Sequence, residues 1–223
     1  MFEVITITTL ASIIVGYAIY RLVNSFFMGP FYYRKLDWFM RYPAKEGDIV
    51  FAGDSLTDWG FWNEMFPDYP VLNRGIGNER IKGLYLRLEN LVEGHPAKIF
   101  IMIGTNDLPH LMFHDDRYIL MYYKLILNKI KTYSPGTRIY IQSILPRQKI
   151  FAKRIVKLNQ ELKSIAKEFD IPYIDVYSHL VGEEGELRRD FTNDKLHLMA
   201  EGYRLWGGAI RPYVTDEPLI PIE

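Results

Sequence analysis

Ser55, Asp194, His197 and Asn106 are side chains whose types can serve as a nucleophile, an orienting acid, a base and an amide donor. A serine hydroxyl is a poor nucleophile at its free pKa and needs a base within hydrogen-bond reach, which the imidazole of His197 can supply. The run Asp194-Lys195-Leu196-His197 places a carboxylate three residues before that imidazole, so both can project from one turn towards a common point. In that arrangement Asp194 accepts the second ring N–H, fixes the tautomer and stabilises the imidazolium. Asn106, within Gly104-Thr105-Asn106-Asp107, offers an amide donor next to a tight turn that Gly104 permits. Each segment alone has a plainer reading. Asp54 or Ser55 can cap a helix, Asp194 can cap a turn beside a surface histidine, and the Gly104 segment can be an ordinary turn.

The elements that must position these groups are legible in the hydropathy pattern. In Ile49-Val50-Phe51-Ala52-Gly53-Asp54-Ser55-Leu56-Thr57-Asp58, a β-branched and aromatic run ends in a glycine and an acidic turn. Ser55 is thereby placed at the carboxyl edge of a strand, where open α/β sheets gather their chemistry. Apolar runs at Ile49 to Ala52, Val71-Leu72, Ile99 to Ile103, Ile139 to Ile141 and Tyr173 to Val176 predict five short buried strands. Helical spacing marks Leu84, Leu88 and Leu91, then Ile119, Tyr122, Tyr123, Ile126 and Ile130, then Ile155, Leu158, Leu162, Ile165 and Phe169. A closing helix is predicted over Gly202 to Val214. Strands alternating with helices imply a parallel sheet covered on both faces, hence an α/β fold.

Composition narrows the function classes. The chain has 223 residues, 48% of them hydrophobic, enough for one substantial domain. Its 27 basic and 27 acidic residues cancel, so no global field draws it to nucleic acid. With no cysteine, disulfides and thiolate chemistry are excluded. The segment Asn73-Arg74-Gly75-Ile76-Gly77-Asn78 lacks both the phosphate-loop spacing and the full dinucleotide glycine pattern.

The N-terminus is a separate matter. From Val4 to Tyr20 the chain is uncharged and mostly apolar, reaching the lower end of the roughly 17–25 residues that span a bilayer. Residues 1–28 are therefore expected to form a membrane-anchoring apolar helix, followed by an aromatic and basic connecting segment over residues 29–47 and the catalytic domain over residues 48–223. A cleaved signal peptide fits less well, because a basic leading region is missing. An apolar element covering the domain is the remaining alternative. Arg21, Arg34, Lys35 and Arg41 all follow the apolar run, which by the positive-inside rule sets the domain in the cytoplasm, whereas an exported hydrolase needs the opposite side. The sequence leaves the orientation and the oligomeric state open.

Four segments in this order, Gly53-Asp54-Ser55-Leu56, residues 73–78, Gly104-Thr105-Asn106-Asp107 and Asp194 to His197, resemble the GDSL/SGNH hydrolases over residues 48 to about 214. Ile144-Leu145-Pro146-Arg147 and the surroundings of the histidine, Phe191 to Trp206, resemble bacterial acylhydrolases related to the catalytic subunits of platelet-activating-factor acetylhydrolase. The resemblance implies a flavodoxin-like three-layer α/β/α fold, hydrolysis of a small-molecule carboxylic ester, and no metal or organic cofactor. It assigns Ser55, His197 and Asp194 as nucleophile, base and orienting acid. The oxyanion donors it implies are the Ser55 N–H, the Asn106 side chain and a backbone N–H of the second segment.

Two departures from known motifs stand out. Gly53-x-Ser55-x-Thr57 lacks the second glycine of the nucleophile elbow, which argues against the α/β-hydrolase fold. Asn78 stands where the family usually carries its oxyanion glycine. Trp59, Phe61 and Trp62 can line a pocket or simply pack; Arg80 and Arg147 can meet an anionic group or form salt bridges. His95, His110, His114 and His179 show no ligand-like spacing. Two other readings compete: a metal-dependent phosphohydrolase drawing on Asp54, Asp107, Asp194 and His197, and an inactive membrane-anchored binding module on the same scaffold.

Overall fold

The computed structural model describes Ser12, residues 14–19, Leu22, residues 29–110 and residues 114–216. Most of the apolar run from Val4 to Tyr20, and with it the anchoring expectation, lies outside the described residues. Within them, no helix is long and apolar enough to cross a membrane. The chain divides into two compact units, Met1–Arg41 and Tyr42–Glu223. In the first, part of the aromatic and basic segment forms helix α1 (Gly29–Arg41), where Phe39 is buried and Lys35 reaches over the Phe31 and Phe39 rings.

In the second unit the predicted strands form one five-stranded sheet of order β2-β1-β3-β4-β5, with every pairing parallel. They are β1 (Ile49–Gly53), β2 (Val71–Gly75), β3 (Lys98–Met102), β4 (Arg138–Gln142) and β5 (Tyr173–Ile174). Alternation along the strands feeds two cores. Val50, Ala52, Ile99, Ile101, Ile139 and Ile141 face one layer, while Ile49, Phe51, Phe100, Met102 and Tyr140 face the other.

Helices α4 (Ile81–Leu86), α5 (Glu89–Val92), α6 (Asp116–Tyr133) and α7 (Ala152–Glu168) cover the first face. Two short helices after β1, α2 (Ser55–Asp58) and α3 (Trp62–Met65), join the closing helix α8 (Ala200–Thr215) on the second. Lys98, at the start of β3, donates to the carbonyls of Tyr213 and Val214 and so caps α8 at its negative end. The parallel sheet covered on both faces that the alternating pattern predicted is present, in the three-layer α/β/α arrangement that the resemblance implied.

Boundaries differ from the apolar runs for local reasons. β2 continues past Leu72 because Asn73, Arg74 and Gly75 keep register with Phe51, Ala52 and Gly53 despite their polarity. β5 stops at Ile174 because the Ser143 hydroxyl takes the N–H groups of Val176 and Tyr177 out of the ladder. The Leu84, Leu88 and Leu91 stripe is buried as expected, but no single helix carries it: Leu84 lies in α4, Leu91 in α5 and Leu88 in the turn between them.

Candidate active site

Gly53 closes β1 because nothing larger fits: a Cβ there would lie 2.3 Å from the Met102 carbonyl oxygen and 2.2 Å from Thr57 Oγ1. The chain then turns through Asp54, whose Oδ1 accepts the Leu56 N–H at 3.0 Å and caps α2. Asp54 is fully buried, and that burial, reinforced by the charges of Glu79 and Asp107, pushes its carboxyl up to about 8. At neutral pH it is carried as a neutral acid. Ser55 occupies the first position of α2, where a backbone N–H has no acceptor within its own helix. Behind it, Tyr203 of α8 donates its hydroxyl to the Leu56 carbonyl at 2.8 Å, and Trp62 donates its indole N–H to the Thr57 carbonyl at 2.7 Å.

The loop before α8 brings the other two groups. Ser55 Oγ lies 3.0 Å from His197 Nε2, and His197 Nδ1 lies 2.6 Å from Asp194 Oδ2. The second carboxylate oxygen of Asp194 accepts the backbone N–H groups of His197 at 2.7 Å and Leu196 at 2.9 Å. Lys195, at φ +66°, folds this turn back on itself, and Thr192 Oγ1 accepts its N–H at 2.9 Å. Burial works against ionisation of Asp194, but these hydrogen bonds outweigh it and hold the carboxyl down at about 2. A carboxylate can only accept, so Nδ1 carries the ring proton and Nε2 is left to accept from Ser55. Three residues separated by up to 142 positions thus form one directed chain of hydrogen bonds.

The second and third sequence segments are tied to this chain and to each other. Asn73 donates to the Asp58 and Gly60 carbonyls and accepts the Gly75 N–H, while Asp58 Oδ2 accepts the Gly77 N–H at 3.1 Å. The loop that ends in Asn78 is therefore stitched to the helix that carries Ser55. Asn78 is exposed and sits at φ +61°, the left-handed region in which asparagine is tolerated in place of glycine. Asn106 spends one amide proton on the Glu79 carbonyl at 3.0 Å, which leaves a second for a ligand. Beneath the loop, Glu79 and Arg87 form a buried ion pair, and Arg87 also donates to the Arg74 carbonyl at 2.8 Å.

Of the residues flagged with less warrant, Trp62 belongs to the core, whereas Trp59 and Phe61 are exposed. Trp59 lies on the His197 ring, with centroids 4.0 Å apart and planes 31° from parallel. Trp59 and Phe61, with Met65, Leu198, Tyr203 and Gly207, line a groove of about 800 Å³ between the segment after Ser55 and α8. Arg147 is buried against the Thr105 carbonyl and the Phe151 ring. His114 stacks on Tyr118 and approaches Asp107 to 2.8 Å. Both partners of that contact drift towards neutrality: burial lifts Asp107 to about 6 and, with Arg80, Lys82 and Arg154, lowers His114. Among the described residues no group of three or more histidine, aspartate or glutamate side chains could hold a metal ion, which leaves the phosphohydrolase reading without a ligand set there. Sequence reasoning passed over Asp58 and placed Trp59 only as a possible pocket wall; their spacing of three and four residues from Ser55 was the available signal.

With this geometry in place, residues 51–205 match the GDSL-like Lipase/Acylhydrolase family, and the chain belongs to it. It is 26% identical over 170 residues to platelet-activating factor acetylhydrolase IB subunit alpha1 of Rattus norvegicus, covering 71% of each chain. A solved structure from Streptococcus pneumonia, described as a platelet activating factor, superposes with a TM-score of 0.79 at 22% identity, over 88% of this chain and 99% of the other. The acetyl xylan esterase AlAXEase superposes with a TM-score of 0.66 at 20% identity, over 75% and 99% of the two chains.

Proposed function

We propose that this chain is a serine esterase that hydrolyses a short-acyl or acetyl ester of a lipid or carbohydrate through an acyl-enzyme on Ser55. The observation that carries this reading is the directed pair of hydrogen bonds from Ser55 Oγ to His197 Nε2, 3.0 Å, and from His197 Nδ1 to Asp194, 2.6 Å. His197 removes the serine proton as Oγ bonds to the ester carbonyl carbon, and Asp194 holds the resulting imidazolium. The oxyanion is received by the Ser55 N–H, the Asn106 amide and the backbone N–H at Asn78. His197 then protonates the departing alkoxide, activates a water molecule against the acyl-enzyme, and returns the proton to Ser55 as the acid leaves. The chemistry draws on these residues alone.

Acetyl is favoured as the acyl group because two of the similar proteins, an acetylhydrolase and an acetyl xylan esterase, are named for its removal. The leaving oxygen must come within reach of His197 Nε2, so the alcohol portion lies on the histidine side, next to the groove of Trp59, Leu198 and Tyr203. Its aromatic and aliphatic walls suit hydrocarbon bulk in the alcohol, while Glu64, Arg204 and Arg211, which also line it, suit polar groups of a sugar or head group. Residues 4–20 are retained as a membrane anchor in this reading, which removal of residues 1–28 tests by releasing an active, soluble domain.

The decisive experiment is Ser55→Ala. Turnover of acetyl esters of alkyl alcohols and of sugars should fall to background while the folded state persists, and a fluorophosphonate probe should label wild-type protein at Ser55. Undiminished turnover in Ser55→Ala would sink the proposal.

A further inference from the structure

Trp59 is a large apolar side chain left half in water, 51% exposed, beside a core that takes in Trp62 and Trp206 almost completely. Packing therefore does not account for it. Its backbone is locked to the nucleophile: as the cap of α2, its N–H donates to the Ser55 carbonyl at 3.0 Å. The indole is thus placed one helical turn beyond Ser55, and its ring lies on the face of His197 at a centroid distance of 4.0 Å.

In the plane of the imidazole both nitrogens are committed, Nδ1 to Asp194 and Nε2 to Ser55. These contacts fix the ring edges but leave it free to tilt about the line joining them. Contact with one face restrains that tilt. An aromatic face also carries negative charge density, so it attracts a cation more than a neutral ring. The contact is consequently stronger once His197 has taken the serine proton, and only an interaction that strengthens along the reaction lowers the barrier.

We propose that Trp59 is a positioning residue of this site, holding the His197 imidazole in line with Ser55 and Asp194 and stabilising the imidazolium that forms when Ser55 is deprotonated. The proposal rests on the esterase reading above, and its test does not require the natural substrate. When a fluorophosphonate reacts, Ser55 Oγ bonds to phosphorus, its proton passes to His197 Nε2, and fluoride leaves, so the same proton transfer is read directly.

The experiment measures the maximal labelling rate and the half-saturating probe concentration separately for wild type, Trp59→Leu and Trp59→Phe. The exposure of Trp59 means that these changes should not unfold the protein, which the thermal midpoint checks. Trp59→Leu should lower the maximal rate about tenfold, with half-saturation unchanged, and Trp59→Phe should restore most of the rate. The His197 ring protons, assigned by their loss in His197→Ala, should carry an upfield ring-current shift in wild type and Trp59→Phe that disappears in Trp59→Leu. Equal maximal rates in all three proteins, or a change confined to half-saturation, would overturn the proposal and reduce Trp59 to a wall of the groove. Failure of wild-type Ser55 to react at all would overturn the esterase reading, and this proposal with it.

Discussion

The carboxylate of Glu79 grips the guanidinium of Arg87 beneath the loop that carries Asn78, with side-chain exposures of only 1% and 2%. Arg87 also donates to the Arg74 carbonyl at the end of β2, and the Glu79 carbonyl receives the Asn106 amide. The pair thus fixes the floor on which two of the proposed oxyanion donors stand. It is a buried pair, so its effect on stability is small when both members are present and large when one is lost.

Glu79→Ala should destabilise the fold by about 3–5 kcal/mol, because it strands a buried guanidinium. The double change Glu79→Leu with Arg87→Met should cost much less. Urea unfolding of the single and double variants measures the difference. A single variant within about 1 kcal/mol of wild type would mean that water reaches Arg87 freely.

Asp194→Asn should keep the fold, since the Asp194 side chain is 46% exposed, yet lower kcat by on the order of 10⁴ by releasing the tautomer and orientation of His197. A second consequence concerns pH. The carboxyl sits at about 2 in the folded protein, below its ordinary value of 3.8, so its contribution to stability is present above about pH 4 and is lost as pH falls through 2. Any stability gap between wild type and Asp194→Asn should therefore narrow on acidification across that window, as thermal unfolding at stepped pH would show. A gap that widened there would contradict the hydrogen bonding assigned to Asp194.

Asp54 has the opposite sign. Its folded value of about 8 lies above the ordinary 3.8, so between those values the native state binds more protons than the unfolded chain. Stability should then fall as pH rises through this window, by at most about 1.4 kcal/mol per pH unit from this group. Asp54→Asn keeps an oxygen to accept the Leu56 N–H and cannot ionise, so it should flatten the slope. Parallel slopes in the two proteins would show that Asp54 titrates normally.

How much of this was legible beforehand depended on whether a residue's role is local. Ser55, Asp194, His197 and Asn106 stood out because each follows a strand or occupies a turn, and the strands declare themselves through buried β-branched runs. The layers followed from the same pattern, since period-two alternation in β1 and β3 feeds both cores. The ends of β2 and β5 were not legible. One is held by register with β1 across polar residues, the other is cut by the hydroxyl of Ser143, the residue just after β4. The Glu79 and Arg87 pair was equally hidden, because two charged residues eight apart read as surface until the loop folds over them. Trp59 was visible as an aromatic near the nucleophile, but its partner ring lies 138 positions away.

The last prediction concerns Asn78, which replaces the usual glycine and adopts φ +61°. On the proposed reading it presents a backbone N–H, and its side chain serves only to tolerate that conformation, as asparagine does better than most residues. Asn78→Gly should then retain turnover within about tenfold, or ~1.4 kcal/mol in the barrier. Asn78→Val should do far worse, since a β-branched side chain resists positive φ and would pull the loop out of place against the Asp58 tether on Gly77. Asn106→Ala should also lose more than Asn78→Gly, about 3–4 kcal/mol if its free amide proton meets the oxyanion. Steady-state kinetics on one acetyl ester, with thermal midpoints beside them, order the three variants. A collapse of kcat in Asn78→Gly at unchanged KM and stability would make the Asn78 side chain the working group, and the backbone assignment would have to be given up.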